Sequence, residues 1–184
     1  MTDTLKVLII EDDPDVRLGC EQALQLEGIA TEAVDSAETA KRRVGPDFRG
    51  IIVSDIRLPR MDGMTFLRQI MALDPELPVV LITGHGDISM AVQAMKDGAH
   101  DFIQKPFPPE YLVEVVRRAL EKRQLILENR ELRHRLEGRE QIEARLIGDS
   151  GAMKRVRQLI AGLADSAADL LIQGETGTGK ELVA

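Results

Sequence analysis

Four places in this 184-residue chain set chemistry-bearing side chains directly after a short apolar run. Glu11, Asp12 and Asp13 follow LKVLII, Asp55 closes GIIVSD, Thr83 closes LPVVLIT, and Lys105-Pro106 follows HDFIQ. A lone carboxylate, a hydroxyl, an ammonium and a group of acids are the parts needed to take up a phosphoryl group. Asp55 is the candidate nucleophile. Lys105, beside a divalent ion, would neutralise the equatorial oxygens, and Thr83 would donate a hydrogen bond to the phosphoryl group after transfer. Each residue alone has a plainer reading. Acidic residues at strand ends are often solvated loop residues, a lysine there can snorkel to the surface, and threonine closes many strands. Their joint placement favours the chemistry.

Carboxylates packed into one small region repel one another unless a cation sits among them. If the first and third strands are adjacent, at least three of these acids converge. An oxygen-only donor set points to a hard divalent ion, Mg²⁺, which keeps several waters and takes one or two carboxylates. No His or Cys stands beside the acids to suggest zinc. His85, framed by Gly84 and Gly86, reads as a solvent-facing loop histidine rather than a catalytic group.

The elements that must position these residues follow from hydrophobic spacing. LKVLII, GIATEAV, GIIVSD, LPVVLIT and HDFIQK read as five buried strands. Between them lie stretches of helical spacing, with Val16, Cys20 and Leu24 in the first and Phe66, Leu67, Ile70 and Leu73 in the third. Strand and helix in alternation predict an α/β fold, a five-stranded parallel doubly wound sheet of flavodoxin-like type with helices on both faces. Ligands of such sheets sit beyond the carboxyl ends of the strands, where the four groups lie.

Composition narrows the class. With 43% hydrophobic and 30% charged residues, the chain can bury one full core and something smaller. The single Cys20 excludes an internal disulfide framework, and MTDTLKV lacks the features of a secretion signal, so the expected location is the cytoplasm. No apolar run approaches the ~18 residues that cross a bilayer, so no membrane partner is expected. A net charge of −7, no Trp, one Tyr and four Phe argue against a surface built to hold nucleic acid.

From Pro108 to about Glu143 the pattern becomes one long charged helix. Leu125, Asn129, Leu132 and Leu136 follow the 4-3-4 spacing of a coiled-coil seam, which predicts a homodimer through this linker; the plainer alternative is a single exposed helix. After Leu146 the pattern starts again: turn, helix, Ala/Asp-rich turn, strand and Gly-rich loop. Gly174, Glu175, Thr176, Gly177, Thr178, Gly179 and Lys180 fit the phosphate loop GxxxxGK, whose backbone amides cradle anionic oxygens, although Glu181 stands where Ser or Thr would hold Mg²⁺. Half a cradle cannot close a core, so this stretch is expected to be marginally folded. The expected boundaries are 4–120, 108–143 for the linker helix, and 144–184.

Glu11-Asp12, Asp55, Thr83 and Lys105-Pro106, in that order on successive strand ends, resemble the receiver domain of two-component response regulators over Leu5 to Ala119. The resemblance implies a sensor histidine kinase as phosphoryl donor and Mg²⁺ as cofactor. With Arg17 aligned to the family's basic residue in the first helix, the metal pair is Glu11 and Asp12, beside Asp55 and the carbonyl of Arg57. A slip of one residue would shift that pair toward Asp13. The resemblance further implies a cis Lys105-Pro106 bond and Phe102 as the aromatic switch partner of Thr83, with motion centred on GHGDISMA. GETGTGKE resembles the loop of NtrC-type enhancer-binding activators, AAA+ ATPases that work with sigma-54 RNA polymerase, and Gly148 with the helix after it looks like that domain's opening. The chain then reads as a non-enzymatic regulatory piece of a longer activator, with ATP, sigma-54 holoenzyme and DNA engaged only by the full-length parent.

Two enzymatic readings compete. A phosphatase of the haloacid dehalogenase type also uses a strand-end Asp and Mg²⁺, but needs a second Asp two residues on, where this chain has Arg57. A free-standing ATPase built on Lys180 would need an acidic strand and an arginine finger, which do not follow here.

Overall fold

The structure, a computed structural model, describes residues 5–46, 48–84, 88–148, 150–163, 171 and 173. It divides into two compact units, 1–127 and 128–184.

In the first unit five parallel strands lie in the order β2-β1-β3-β4-β5. They are β1 Lys6–Ile10, β2 Ala30–Val34, β3 Gly50–Asp55, β4 Val79–Thr83 and β5 Asp101–Gln104, with helices α1 Pro14–Leu26, α2 Ala37–Lys41, α3 Gly63–Leu73 and α4 Ile88–Lys96 between them. α5, Pro109–Arg145, follows β5, and α6 is Gly151–Leu163. All five expected strands form, within two residues of the expected ends.

Strand side chains alternate between the two faces, so each strand feeds two cores. Leu8, Ile10, Ile52 and Leu81 pack with Ala37 and Ala40 of α2, Phe66, Leu67 and Ile70 of α3, and Ala94 of α4. Val7, Ile9, Val53, Val80 and Ile82 pack with Cys20 and Leu24 of α1 and Leu112, Val115, Val116 and Ala119 of α5. Strands buried on both faces need near-continuous apolar runs, and VLII, IIV and VVLI supply them.

One expected core residue is exposed. Leu73 is 44% accessible, while Asp74 is 3% accessible. The inward stripe of α3 is 63, 66, 67 and 70, and the buried position that follows it is the capping residue Asp74, just past the last leucine, so a carboxylate fills the place of an apolar side chain.

α5 is 37 residues, about 55 Å at 1.5 Å per residue. Within the first unit its buried stripe is Leu112, Val115, Val116, Ala119 and Arg123. Leu125, Leu132 and Leu136 of the expected seam are all more than half exposed. In the second unit, Arg157 of α6 donates from Nη1 to Leu146 O at 2.5 Å and from Nη2 to Gly148 O at 2.7 Å, tying the helix to the turn before it. Of the expected strand of this segment only Leu171 and Gln173 are described, neither in a regular element, and the phosphate loop, Gly174 to Glu181, lies outside the described residues. Among the described residues no helix is long and apolar enough to cross a membrane.

Candidate phosphoryl-acceptor site

β1 and β3 are neighbours, but the chain order runs outward from them in opposite directions, β2 on one side and β4 and β5 on the other. At such a switch point the loops leaving the two strands part and open a crevice. Ile10 lies level with Ser54, so Glu11 and Asp55, the next residues, emerge side by side. Thr83 lies level with Gln104, so Lys105 leaves β5 beside the end of β4.

The Lys105 ammonium joins the two acids. Its Nζ donates to Asp55 Oδ2 at 2.5 Å and to Glu11 Oε2 at 2.7 Å. Asp55 Oδ1 accepts from the Arg57 amide at 2.7 Å, and Ser54 Oγ donates to the Asp55 carbonyl at 2.9 Å. Glu11 and Asp55 are almost wholly buried, and Lys105 keeps 21% side-chain exposure, leaving the cluster open on the ammonium side. Burial pushes the Glu11 pKa up; the hydrogen bond from Lys105 opposes this, the negative charge of Asp55 adds to it, and the net direction is up. Burial pulls Lys105 down, but its hydrogen bonds to Asp55 and Glu11 and their charges outweigh that and hold the ammonium above the usual lysine range.

Surrounding residues fix this geometry. Arg17 Nη1 donates to the carbonyls of Glu11 at 2.7 Å and Asp12 at 3.2 Å, holding the loop after β1 against α1. Gly63 donates its N–H to Ile56 O at 2.9 Å, and a Cβ there would lie 2.3 Å from Asp55 O. Asp62 caps α3 by accepting from Thr65 N at 2.6 Å.

The acids do not converge as three. Asp13 Oδ1 caps α1, accepting from the amides of Asp15 at 2.9 Å and Val16 at 3.2 Å, and Asp12 is exposed. Among the described residues no three His, Cys, Asp or Glu side chains gather into a metal cluster. Lys105 lies between Glu11 and Asp55 and brings positive charge to both. The donors still suit Mg²⁺, since Glu11, Asp12 and Asp55 offer only oxygen and that ion needs no more than one or two carboxylates. Asp13 Oδ1 is taken up by the cap, whereas Asp12 is exposed beside it.

Thr83 is buried, and its carbonyl accepts from Lys105 N at 2.7 Å. Phe102 is half-buried, level with Leu81 and packed against the core that contains it. By strand alternation Thr83 and Phe102 face the same side of the sheet. The Lys105-Pro106 bond is cis. Residues 85–87 of GHGDISMA, His85 among them, lie outside the described residues. Sequence reading did not find the Arg57 amide or the approach of Gly63, although Asp62-Gly63 at a helix start carries a signal for the latter.

Residues 7–117 match the family described as the Response regulator receiver domain, and residues 146–184 match the Sigma-54 interaction domain. The C4-dicarboxylate transport transcriptional regulatory protein DctD of Pseudomonas aeruginosa is 50% identical over 179 residues, 97% of this chain and 39% of that protein. DctD of Rhizobium meliloti is 50% identical over 178 residues, 97% of this chain and 38% of that protein. The DNA-binding transcriptional regulator NtrC of Escherichia coli is 35% identical, covering 97% of this chain and 37% of its own. The chain thus spans about two fifths of the length of these relatives. Among solved structures, the receiver domain of NtrX from Brucella abortus is 39% identical with a TM-score of 0.60, covering 63% of this chain and 98% of that one. Sequence, fold and the strand-end residues agree: the chain belongs to the response regulator receiver domain family, and its end carries a stretch of sigma-54 interaction domain.

Proposed function

We propose that Asp55 accepts a phosphoryl group from a phosphohistidine of a sensor histidine kinase. A carboxylate oxygen of Asp55 attacks phosphorus; the P–O bond forms, the P–N bond breaks, and the electron pair and a proton go to the departing imidazole nitrogen. The product is an acyl phosphate with up to about two negative charges. Glu11, Asp12, Asp55 and the carbonyl of Arg57 would hold Mg²⁺, which would supply positive charge for the phosphoryl oxygens. Lys105, already on Asp55, neutralises part of the charge on the phosphoryl group. The Thr83 hydroxyl turns toward the phosphoryl group, Phe102 fills the space it leaves, and the face formed by α4, β5 and α5 repacks.

Residues 4–120 act as the receiver, 108–143 as a helix that pairs with a second copy, and 144–184 as the opening of the AAA+ domain. The receiver regulates and does not turn over substrate; ATP hydrolysis and contact with sigma-54 holoenzyme and DNA belong to a full-length cytoplasmic parent. Half-identity to the two DctD proteins favours C4-dicarboxylate transport as the regulated process.

The observation that carries this reading is the engagement of both Asp55 oxygens, one by Lys105 Nζ and one by the Arg57 amide, at the switch point of the sheet. Intact-mass measurement after incubation with acetyl phosphate and Mg²⁺ tests it. The expected result is one added phosphoryl group that Asp55→Asn abolishes; an unchanged mass overturns the reading.

A further inference from the structure

At the other end of the sheet lies a second buried charge pair that the phosphoryl chemistry does not use. Arg123 of α5 is 0% exposed and Asp74 3%. Arg123 Nη1 lies 2.9 Å from Asp74 Oδ2, and Nη2 donates to Phe48 O at 2.8 Å. Nη1 also reaches Glu76 O at 3.4 Å. Asp74 is itself fixed, since its amide donates to Ile70 O and its Oδ1 accepts from Glu76 N at 3.0 Å. The guanidinium therefore spans two loops, one leading into β3 and one into β4.

Its place on α5 gives the pair its meaning. The helix is held by apolar contacts at Leu112, Val115, Val116 and Ala119, and Arg123 is the next residue on that stripe. Two residues later Leu125 is 66% exposed, and the first unit ends at Leu127. Burying a charge pair is a weak route to stability, because well-packed apolar residues commonly do as well. What it adds is direction: a planar fork held by a carboxylate and a carbonyl has one productive orientation, whereas a leucine can slide.

We infer that Arg123 and Asp74 are positioning residues that clamp the root of the linker helix to the receiver, so that the repacking proposed to follow phosphorylation of Asp55 moves α5 as one rigid element. This rests on the phosphoryl-acceptor reading, and the test separates the two. The full chain is prepared as wild type, Arg123→Lys, and the doubly apolar Arg123→Met/Asp74→Leu, with spin labels at the exposed positions Leu26 and Gln124, the latter off the expected coiled-coil seam, and the labelled chain is diluted into unlabelled chain so that only distances within one copy are read. Beryllofluoride with Mg²⁺ is the probe, and its binding is read independently by fluorine NMR.

The expected result is that the double variant unfolds at a wild-type midpoint and binds beryllofluoride normally. Its label distance, narrow in the wild type, becomes broad, and amide exchange over residues 117–127 rises at least tenfold. Arg123→Lys, which has no fork, does not restore the narrow distance. A narrow distance and wild-type exchange in the double variant overturn the inference. So does failure of the double variant to fold, which would make the pair an element of folding. Absence of beryllofluoride binding in the wild type would instead overturn the phosphoryl-acceptor reading.

Discussion

Lys105 Nζ lies 2.5 Å from Asp55 Oδ2 while its second bond, at 2.7 Å, goes to Glu11. One ammonium thus serves two carboxylates, and the cluster keeps one formal negative charge in excess. Removing the ammonium leaves two buried acids facing each other, each keeping a backbone amide but no counter-charge, which is costly because like charges then repel away from water. Lys105→Met should lower stability at pH 7 by about 2 kcal/mol, read from urea midpoints. The loss should shrink on acidification toward pH 5. In the wild type Glu11 already has a raised pKa, and loss of Lys105 raises it further, so a proton bound to Glu11 relieves the repulsion. A loss that does not change between pH 7 and 5 would count against this account.

Asp12 and Asp13 are neighbours with separable tasks. Asp13 caps α1, so Asp13→Ala should cost about 1 kcal/mol of stability while leaving Mg²⁺-dependent modification of Asp55 intact. Asp12, exposed and outside the cap, should show the reverse: Asp12→Ala unfolds at the wild-type midpoint but needs far more Mg²⁺ for the same extent of modification. Titrating Mg²⁺ against modification in both variants checks this, and equal Mg²⁺ demand would assign the metal role to neither.

Two glycines test whether the site depends on local geometry or only on the fold. A Cβ at Gly63 would meet Asp55 O at 2.3 Å, and one at Gly50 would meet Lys6 O at 2.1 Å, both backbone atoms that cannot swing away. Gly63→Ala and Gly50→Ala should each destabilise by about 1–3 kcal/mol. Only Gly63→Ala should slow phosphoryl uptake by the folded fraction, because it pushes on the peptide that carries the acceptor. Uptake rates at a temperature where both remain folded provide the comparison.

Much of this was legible in the sequence, for a physical reason. Strands buried on both faces require unbroken apolar runs, and acids or an ammonium at their ends are conspicuous against that background; Glu11, Asp55, Thr83 and Lys105 stand out in this way. What escaped were residues whose type contradicts their place. Asp74, which caps the end of α3, and Arg123, on the inward stripe of α5, look like surface charges but are buried against each other, 49 positions apart in the chain. Leu73 drew the apolar reading that belonged one residue later. Spacing likewise shows which carboxylates reach the crevice but not that an ammonium from β5 lies between Glu11 and Asp55.

The alkaline limit of stability should be set in part by Cys20 and Lys105. Burial pushes the Cys20 thiol up to about 11, with the charges of Glu11 and Asp55 adding to it and Lys105 opposing. A pKa raised in the folded state means that the folded protein holds the proton more tightly than the unfolded chain. Stability from this group is therefore complete below its ordinary value of 9.0 and is lost as pH rises toward about 11. Lys105 acts with the same sign, since its pKa is raised above 10.5. Urea midpoints should therefore fall between about pH 9 and pH 11, through Cys20 first and through Lys105 only above 10.5. Cys20→Ala, although less stable overall through the small cavity it leaves, should show a shallower fall over that interval. A slope identical to wild type would mean that Cys20 titrates alike in both states and takes no part in the alkaline transition.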